Sequence, residues 1–360
     1  MTRMKIATLQ SQAIELLKRL IETPSPSQSE EQTAQILQDA LATFGIETYR
    51  KGNNVWAFNR HFDPLKPNLL LNSHHDTVKP HEGYTMDPFE AALVDDKLYG
   101  LGSNDAGGCL VSLLQVFSQL YNRQNLSHNL IFLASAEEEL SGSNGISLAL
   151  TELPSIDLAI VGEPTGMHIV IAEKGLMVID GVAKGVAGHA AHTNAENAIY
   201  KATKDIQAIQ SHSFSKISAS LGAVKTTVTN IHAGGQHNVI PESCHYVIDV
   251  RTTDCYTNEE TFKVLDELTT SELKARSFRL KPSSIDPNHK LALIGKKLGL
   301  KSYGSPTLSD QALLPCPSVK IGPGRSERSH QANEFITLRE IEDGIKGYYS
   351  LLDKFLTNTP

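Results

Sequence analysis

Three short apolar runs, each breaking abruptly into acidic or imidazole side chains, constrain this chain more than any other feature. Leu69-Leu70-Leu71 continues through Asn72-Ser73 into His74-His75-Asp76. Residues 129–134 lead into Glu137-Glu138-Glu139, and residues 158–161 into Gly162-Glu163-Pro164-Thr165. Such runs are too short for buried helices and read as strands covered on both faces. In an open α/β sheet, ligands sit in the crevice beyond the carboxyl ends of the strands, which is where these polar groups fall.

Helical patterns lie between the strands. Ile14, Leu16, Leu17, Leu20 and Ile21 repeat at helical spacing until Thr23-Pro24-Ser25-Pro26 stops them. A second amphipathic helix is predicted over 30–44, closed by Gly45. Extended segments follow near 46–49 and 55–58. A glycine-rich loop at 100–108 holds Asp105, and Leu110, Val111, Leu113, Leu114 and Phe117 form a helical face behind it. The texture changes after Lys174-Gly175: strand, helix (195–209), two strands, helix (259–268), strand. This predicts an α+β unit with an antiparallel sheet, inserted at 176–280 into an α/β domain made of 1–175 and 281–360. The α/β texture returns at 318–321, runs into Gly322-Pro323-Gly324 and closes with a helix over 338–355.

With 360 residues, two domains are the natural expectation. A net charge of −7 supplies no basic field for nucleic acid, and no apolar run approaches a membrane span. Met1 to Gln10 is polar, unlike a signal peptide. The four cysteines are scattered without a Cys-x-x-Cys pair, which argues against a disulfide framework or a thiolate cluster and predicts a cytoplasmic protein.

His74, Asp105, one of Glu138 and Glu139, Glu163 and His330 are candidate ligands: two imidazoles and three carboxylates. Carboxylates buried together repel one another at heavy cost unless a cation compensates them. Nitrogen and oxygen donors without thiolate suit two zinc ions, with cobalt or manganese able to substitute.

Seven motifs, spread from 74 to 330, resemble one family. They are His74-His75-Asp76-Thr77-Val78, Gly100-Leu101-Gly102-Ser103-Asn104-Asp105, Glu138-Glu139, Gly162-Glu163-Pro164-Thr165, Gly188-His189, Asn238-Val239-Ile240-Pro241 and Gly322-Pro323-Gly324 followed by His330. In this order they are similar to the zinc-dependent amidohydrolase and peptidase superfamily that includes acetylornithine deacetylase, succinyl-diaminopimelate desuccinylase and aminoacylase, nearest its acetylornithine deacetylase branch. The resemblance implies a catalytic domain with a mixed sheet flanked by helices, plus an inserted ferredoxin-like domain for dimerisation or as a lid. It implies that Asp105 bridges two metals, with His74 and Glu163 completing one site and Glu139 and His330 the other. By the same resemblance Asp76 orients His74 and Glu138 is the general base. His189 would reach the partner subunit's active site in a homodimer, and Asn238 and Arg251 would hold a substrate carboxylate.

The expected reaction is removal of the acyl group from a small N-acyl amino acid, foremost N-acetylornithine in arginine biosynthesis. N-acetylcitrulline and N-succinyl amino acids are nearby alternatives, and a metallo-dipeptidase or aminopeptidase is a further one. The acidic triplet leaves two registers open. Aligned on Gly145, Glu138 is the base and Glu139 the ligand; slipped by one residue, the pair is Glu137 and Glu138. His75 should turn away by strand alternation. His192 is either a neighbour of His189 or itself the working imidazole. His81, His232 and His237 read as loop and turn residues, and Tyr84 and Phe89 as packing. Arg325 and Arg328 are either solvated or substrate contacts on the loop before His330. Many relatives carry Arg where this chain has Leu101 and Met-Lys where it has Ala106-Gly107, which alters the charge expected near the metals.

Overall fold

The protein is described by a computed structural model that covers residues 3–357. Two helices, α1 (Arg3–Ile21) and α2 (Glu31–Thr43), precede the antiparallel pair β1 (Tyr49–Lys51) and β2 (Asn54–Phe58). Of the extended segment expected at 46–49, only Tyr49 is in a strand. Gly45, at φ +69°, closes α2 in the left-handed region. Strand β3 (Asn68–His74) comes next, then the hairpin β4 (Ala92–Val94) and β5 (Lys97–Tyr99), and then α3 (Gly108–Leu120). Strand β6 (Asn129–Ser135), the short helix α4 (Ile146–Ala149), β7 (Leu158–Val161) and β8 (Ile169–Glu173) complete this stretch.

The inserted segment contains β9 (Gly175–Lys184), β10 (Gly188–His189), α5 (Ala198–Ser211), β11 (Lys225–Ala233), β12 (Val239–Ile240), β13 (Ser243–Thr252), α6 (Asn258–Leu268), β14 (Glu272–Ala275) and β15 (Ser283–Ser284). The chain returns through α7 (Lys290–Lys297), β16 (Ser302–Ser305), β17 (Ser318–Lys320), β18 (Phe335–Thr337) and α8 (Leu338–Leu356).

The molecule divides into two units, one of 1–171, 285–303 and 309–360, the other of 172–284 and 304–308. Against the expected boundaries, the insertion takes a few more residues at each end and gains the separate segment 304–308.

In the first unit the mixed sheet runs β1-β2-β6-β3-β7-β17-β8, with β6, β3, β7 and β17 mutually parallel. Its continuous apolar runs follow from cover on both faces. Leu69 and Leu71, Leu130 and Phe132, and Leu158 and Ile160 join one core with α1, α3 and α8. Leu70, Ile131, Leu133 and Ala159 point the other way, into a smaller core with Trp56 and Ile146. Helix α8 opens with a Thr337/Glu340 capping box and buries Ile341, Ile345, Tyr348 and Leu352. A separate antiparallel sheet, β18-β5-β4, pairs Phe335 with Tyr99 and thereby draws the segments before β18 and after β5 together.

The second unit is a four-stranded antiparallel sheet of order β11-β13-β9-β14, with α5 and α6 over a core of Ile179, Tyr246, Ile248 and Leu265. The connection β-α-β-β-α-β with this order is ferredoxin-like. Among the described residues no helix is long and apolar enough to cross a membrane.

Candidate metal centre

Residue alternation along β3 and β6 decides what reaches the crevice. Asn72 and His74 share the face of Leu70, and Ser135, paired with His74, shares the face of Ile131 and Leu133. His75 is turned the other way and buried. Its Nδ1 meets the Thr33 hydroxyl at 2.9 Å and its Nε2 the Asn53 carbonyl at 2.9 Å, and burial lowers its pKa to about 4.

The five expected ligands all belong to the first unit and converge. His74 Nε2 lies 3.3 Å from Asp105 Oδ1 and 3.8 Å from Glu163 Oε1. His330 Nε2 lies 2.9 Å from Glu139 Oε2 and 3.7 Å from Asp105 Oδ2. Asp105 thus faces both imidazoles, one oxygen to each. One donor atom each from His74, Asp105 and Glu139 fall within 4.8 Å of one another, as do atoms of His74, Glu138 and Glu163. His74 is buried, whereas His330 keeps 54% of its side-chain surface exposed at the rim.

The electrostatics show a cluster short of positive charge. Burial acts against a proton on His74, but the carboxylates of Asp105 and Asp76 outweigh it and hold its pKa well above the usual imidazole value. Glu139 draws His330 up to about 9. Burial raises Glu138 well above the carboxylate range, with Glu163, Asp310 and Glu139 adding to the rise. A divalent cation would answer the same shortage, and the all-nitrogen-and-oxygen donor set fits such cations.

Asp76 touches both His74 and the acidic turn. The closest acceptor for His74 Nδ1 is the Asp76 backbone carbonyl, at 2.9 Å, with the carboxylate at 3.4 Å. That carboxylate also accepts the backbone N–H groups of Glu138 and Glu139, each at 3.1 Å, and the Ser27 hydroxyl at 2.7 Å. Asp76 therefore meets the imidazole most closely through its backbone carbonyl and holds the acidic turn with its side chain. Glu137 faces elsewhere: its carboxylate accepts from the backbone N–H and side-chain amide of Asn144.

His189, Asn238 and Arg251 belong to the second unit. His189 is exposed on β10, which pairs with β12, and its Nδ1 accepts the Ala191 N–H at 3.2 Å, leaving a neutral ring's proton on Nε2. His192 lies alongside, with ring centroids 5.4 Å apart. The Asn238 carbonyl accepts the Ala190 N–H, which ties it to the His189 segment. The fork of Arg251 does not stand ready for a substrate, because Asp249 on the same strand takes it at 2.9 and 3.1 Å. Arg328 is likewise engaged, on Glu340 at 2.8 Å and over the Phe335 ring at 4.3 Å. Arg325 is exposed, and its nearest acid is Glu340 at 3.8 Å.

Two buried acids escaped the sequence reading. Asp310 accepts from Asn72 Nδ2 at 2.8 Å and Ser135 Oγ at 2.6 Å, and burial lifts its pKa to about 6. Glu334 accepts three backbone N–H groups of the Asp105 loop. Neither belongs to a local pattern; the Glu four residues after His330 was the one available signal.

A profile of peptidase family M20/M25/M40 matches residues 70–354, a span that takes in every candidate ligand. The chain belongs to this family. It is therefore a metal-dependent hydrolase of amide bonds. It is 29% identical to acetylornithine deacetylase of Proteus mirabilis (strain HI4320), over 95% of this chain and 96% of that one. The corresponding figures for acetylornithine deacetylase of Shigella sonnei (strain Ss046) are 28%, 91% and 94%. Among solved structures the fold is shared with aminopeptidase PepT of Bacillus cereus ATCC 10987, at TM-score 0.78 and 15% identity over 97% of this chain and 99% of that one. It is also shared with Bacillus subtilis YXEP, a dinuclear metal binding peptidase of the M20 family, at TM-score 0.72 and 17% identity over 97% and 99%.

Proposed function

We propose that this M20 hydrolase removes the acyl group from an N-acyl amino acid, with N-acetylornithine as its leading substrate, and works with two zinc ions. The observation that carries the reading is the placement of two imidazoles around the two oxygens of Asp105, with Glu163 beside one and Glu139 beside the other. Likeness over nearly the full length to chains named acetylornithine deacetylase supports the substrate. His74 and Glu163 would hold one ion, Glu139 and His330 the other, and Asp105 both. Cobalt or manganese would serve in place of zinc.

Bound there, a divalent cation polarises the substrate carbonyl and acidifies water. Glu138 is the proton carrier in this reading. Its half-buried carboxylate has a raised proton affinity, suited to taking a proton from water and passing it to the departing amine. His189, with its proton on Nε2, is a donor for the developing oxyanion, supplied by the partner subunit of a homodimer. An exposed edge supports dimerisation: β11 ends the second unit's sheet, and Ile231, Tyr200 and Val239 are exposed in that unit.

The lining near Asp105 bears on substrate choice. A Cβ on Gly107 would lie 2.4 Å from the Gly102 carbonyl oxygen and 2.6 Å from Leu17 Cδ1, so this backbone leaves no room for a lysine. Leu101 and Ala106 are buried. With Leu101 and Gly107 where many relatives carry cationic side chains, this lining offers no cationic partner to a second substrate carboxylate, which supports an acetyl over a succinyl group.

The test is a side-by-side assay of N-acetylornithine, N-acetylcitrulline, N-succinylornithine and a dipeptide panel, with zinc added. N-acetylornithine is expected to give the highest kcat/KM. Turnover of dipeptides alone would replace this reading with a peptidase one, to which the aminopeptidase-like fold is equally suited.

A further inference from the structure

We propose that Glu334 is a positioning residue for Asp105, holding the 102–105 backbone so that the two carboxylate oxygens of Asp105 face the two cation subsites. This rests on the dinuclear reading above and assigns a role to a side chain that reading leaves idle.

Glu334 is 2% exposed. Its Oε1 accepts the backbone N–H groups of Asn104 and Asp105, both at 2.8 Å, and its Oε2 accepts that of Gly102 at 3.1 Å. Its own carbonyl accepts the Gly100 N–H at 3.0 Å. Four N–H groups of one loop thus converge on one residue. The register makes this possible: Phe335 pairs with Tyr99, which sets Glu334 against Gly100. Gly102, at φ +76°, turns the backbone so that its N–H and those of Asn104 and Asp105 point to a common centre. A concavity of backbone N–H groups is a receptor for acceptor oxygens, and here both oxygens of one carboxyl group are built in, although burial and the nearby Asp105 carboxylate push its pKa up to about 8.

Any neutral side chain of similar size would fill the space, but it would not satisfy three donors. Glutamine offers one acceptor oxygen and turns an amide N–H against a backbone N–H. Aspartate keeps both oxygens but is one methylene too short to span all three. With the clamp loosened, the Asp105 carboxylate no longer has a fixed aim between His74 and His330. Residues that orient metal ligands typically change metal affinity by about 10–100-fold when altered.

The experiment compares wild type, Glu334→Gln and Glu334→Asp, each checked for folding by circular dichroism. Zinc stoichiometry and affinity are read by competition with a chromophoric chelator, and the visible spectrum is recorded after cobalt loading. Both variants are expected to bind at least one zinc ion about 10-fold more weakly, to shift the cobalt spectrum, and to lose kcat with little change in KM. Affinity and cobalt spectrum equal to wild type in a folded variant would overturn the proposal. If Glu334→Gln fails to fold, Glu334→Asp decides on the same terms. A wild-type protein that binds no divalent cation would instead overturn the dinuclear reading, and this inference with it.

Discussion

At position 138, replacing the carboxyl by an amide removes proton transfer while leaving size and most contacts in place. Glu138→Gln is therefore expected to retain its zinc and lose about 10²–10⁴-fold in kcat, measured by metal content alongside steady-state turnover. Full activity would return the role to another acid. Glu137 is a poor substitute in this structure, because its carboxylate is spent on Asn144. The inward aim of His74 and the outward turn of His75 were legible from period-two alternation alone. The partners of Asp310 and Glu334 were not. Asn72 and Asp310 stand 238 positions apart, and no local pattern announces that a loop acid will meet a strand amide. The engagement of Arg251 was not legible either: a guanidinium suits any carboxylate, and in this structure Asp249 takes it.

The strands carrying the site were readable because burial on both faces leaves them uninterrupted by polar residues, and the helices because their apolar positions recur at helical spacing. Elements too short to sustain either signature were missed, among them α7, of 8 residues, and the small β18-β5-β4 sheet. The loop between β5 and α3 shows how closely an element can be fitted. Gly107 sits against the Gly102 carbonyl and Leu17 of α1, so a side chain there must push the loop or the helix. Gly107→Ala should destabilise the first unit by about 1–3 kcal/mol and weaken cation binding, since the displaced segment carries Asp105. Denaturant midpoints and a zinc titration test this; an unchanged midpoint would mean that the loop yields freely.

For the whole molecule, the proposed exchange of His189 between subunits has a sharp consequence. Glu138→Ala and His189→Ala proteins, each inactive alone, should recover activity when unfolded and refolded together. Random pairing of equal amounts restores on the order of a quarter of the sites, because each hybrid dimer contains one intact combination. No recovery, with mixed dimers demonstrated by size and mass, would confine each site to a single chain.

The topology also sets an order of assembly. Strand β17 lies between β7 and β8, and the last candidate ligand, His330, follows it along the chain. During synthesis the ribosome delivers the whole ferredoxin-like insertion before that gap in the sheet can be filled. A nascent chain therefore carries His74, Asp105, Glu139 and Glu163 for some time without the strand and imidazole that complete them. On the dinuclear reading, a cation captured before residue 330 has emerged would be held by an incomplete ligand set, which would put correct loading among the last acts of maturation.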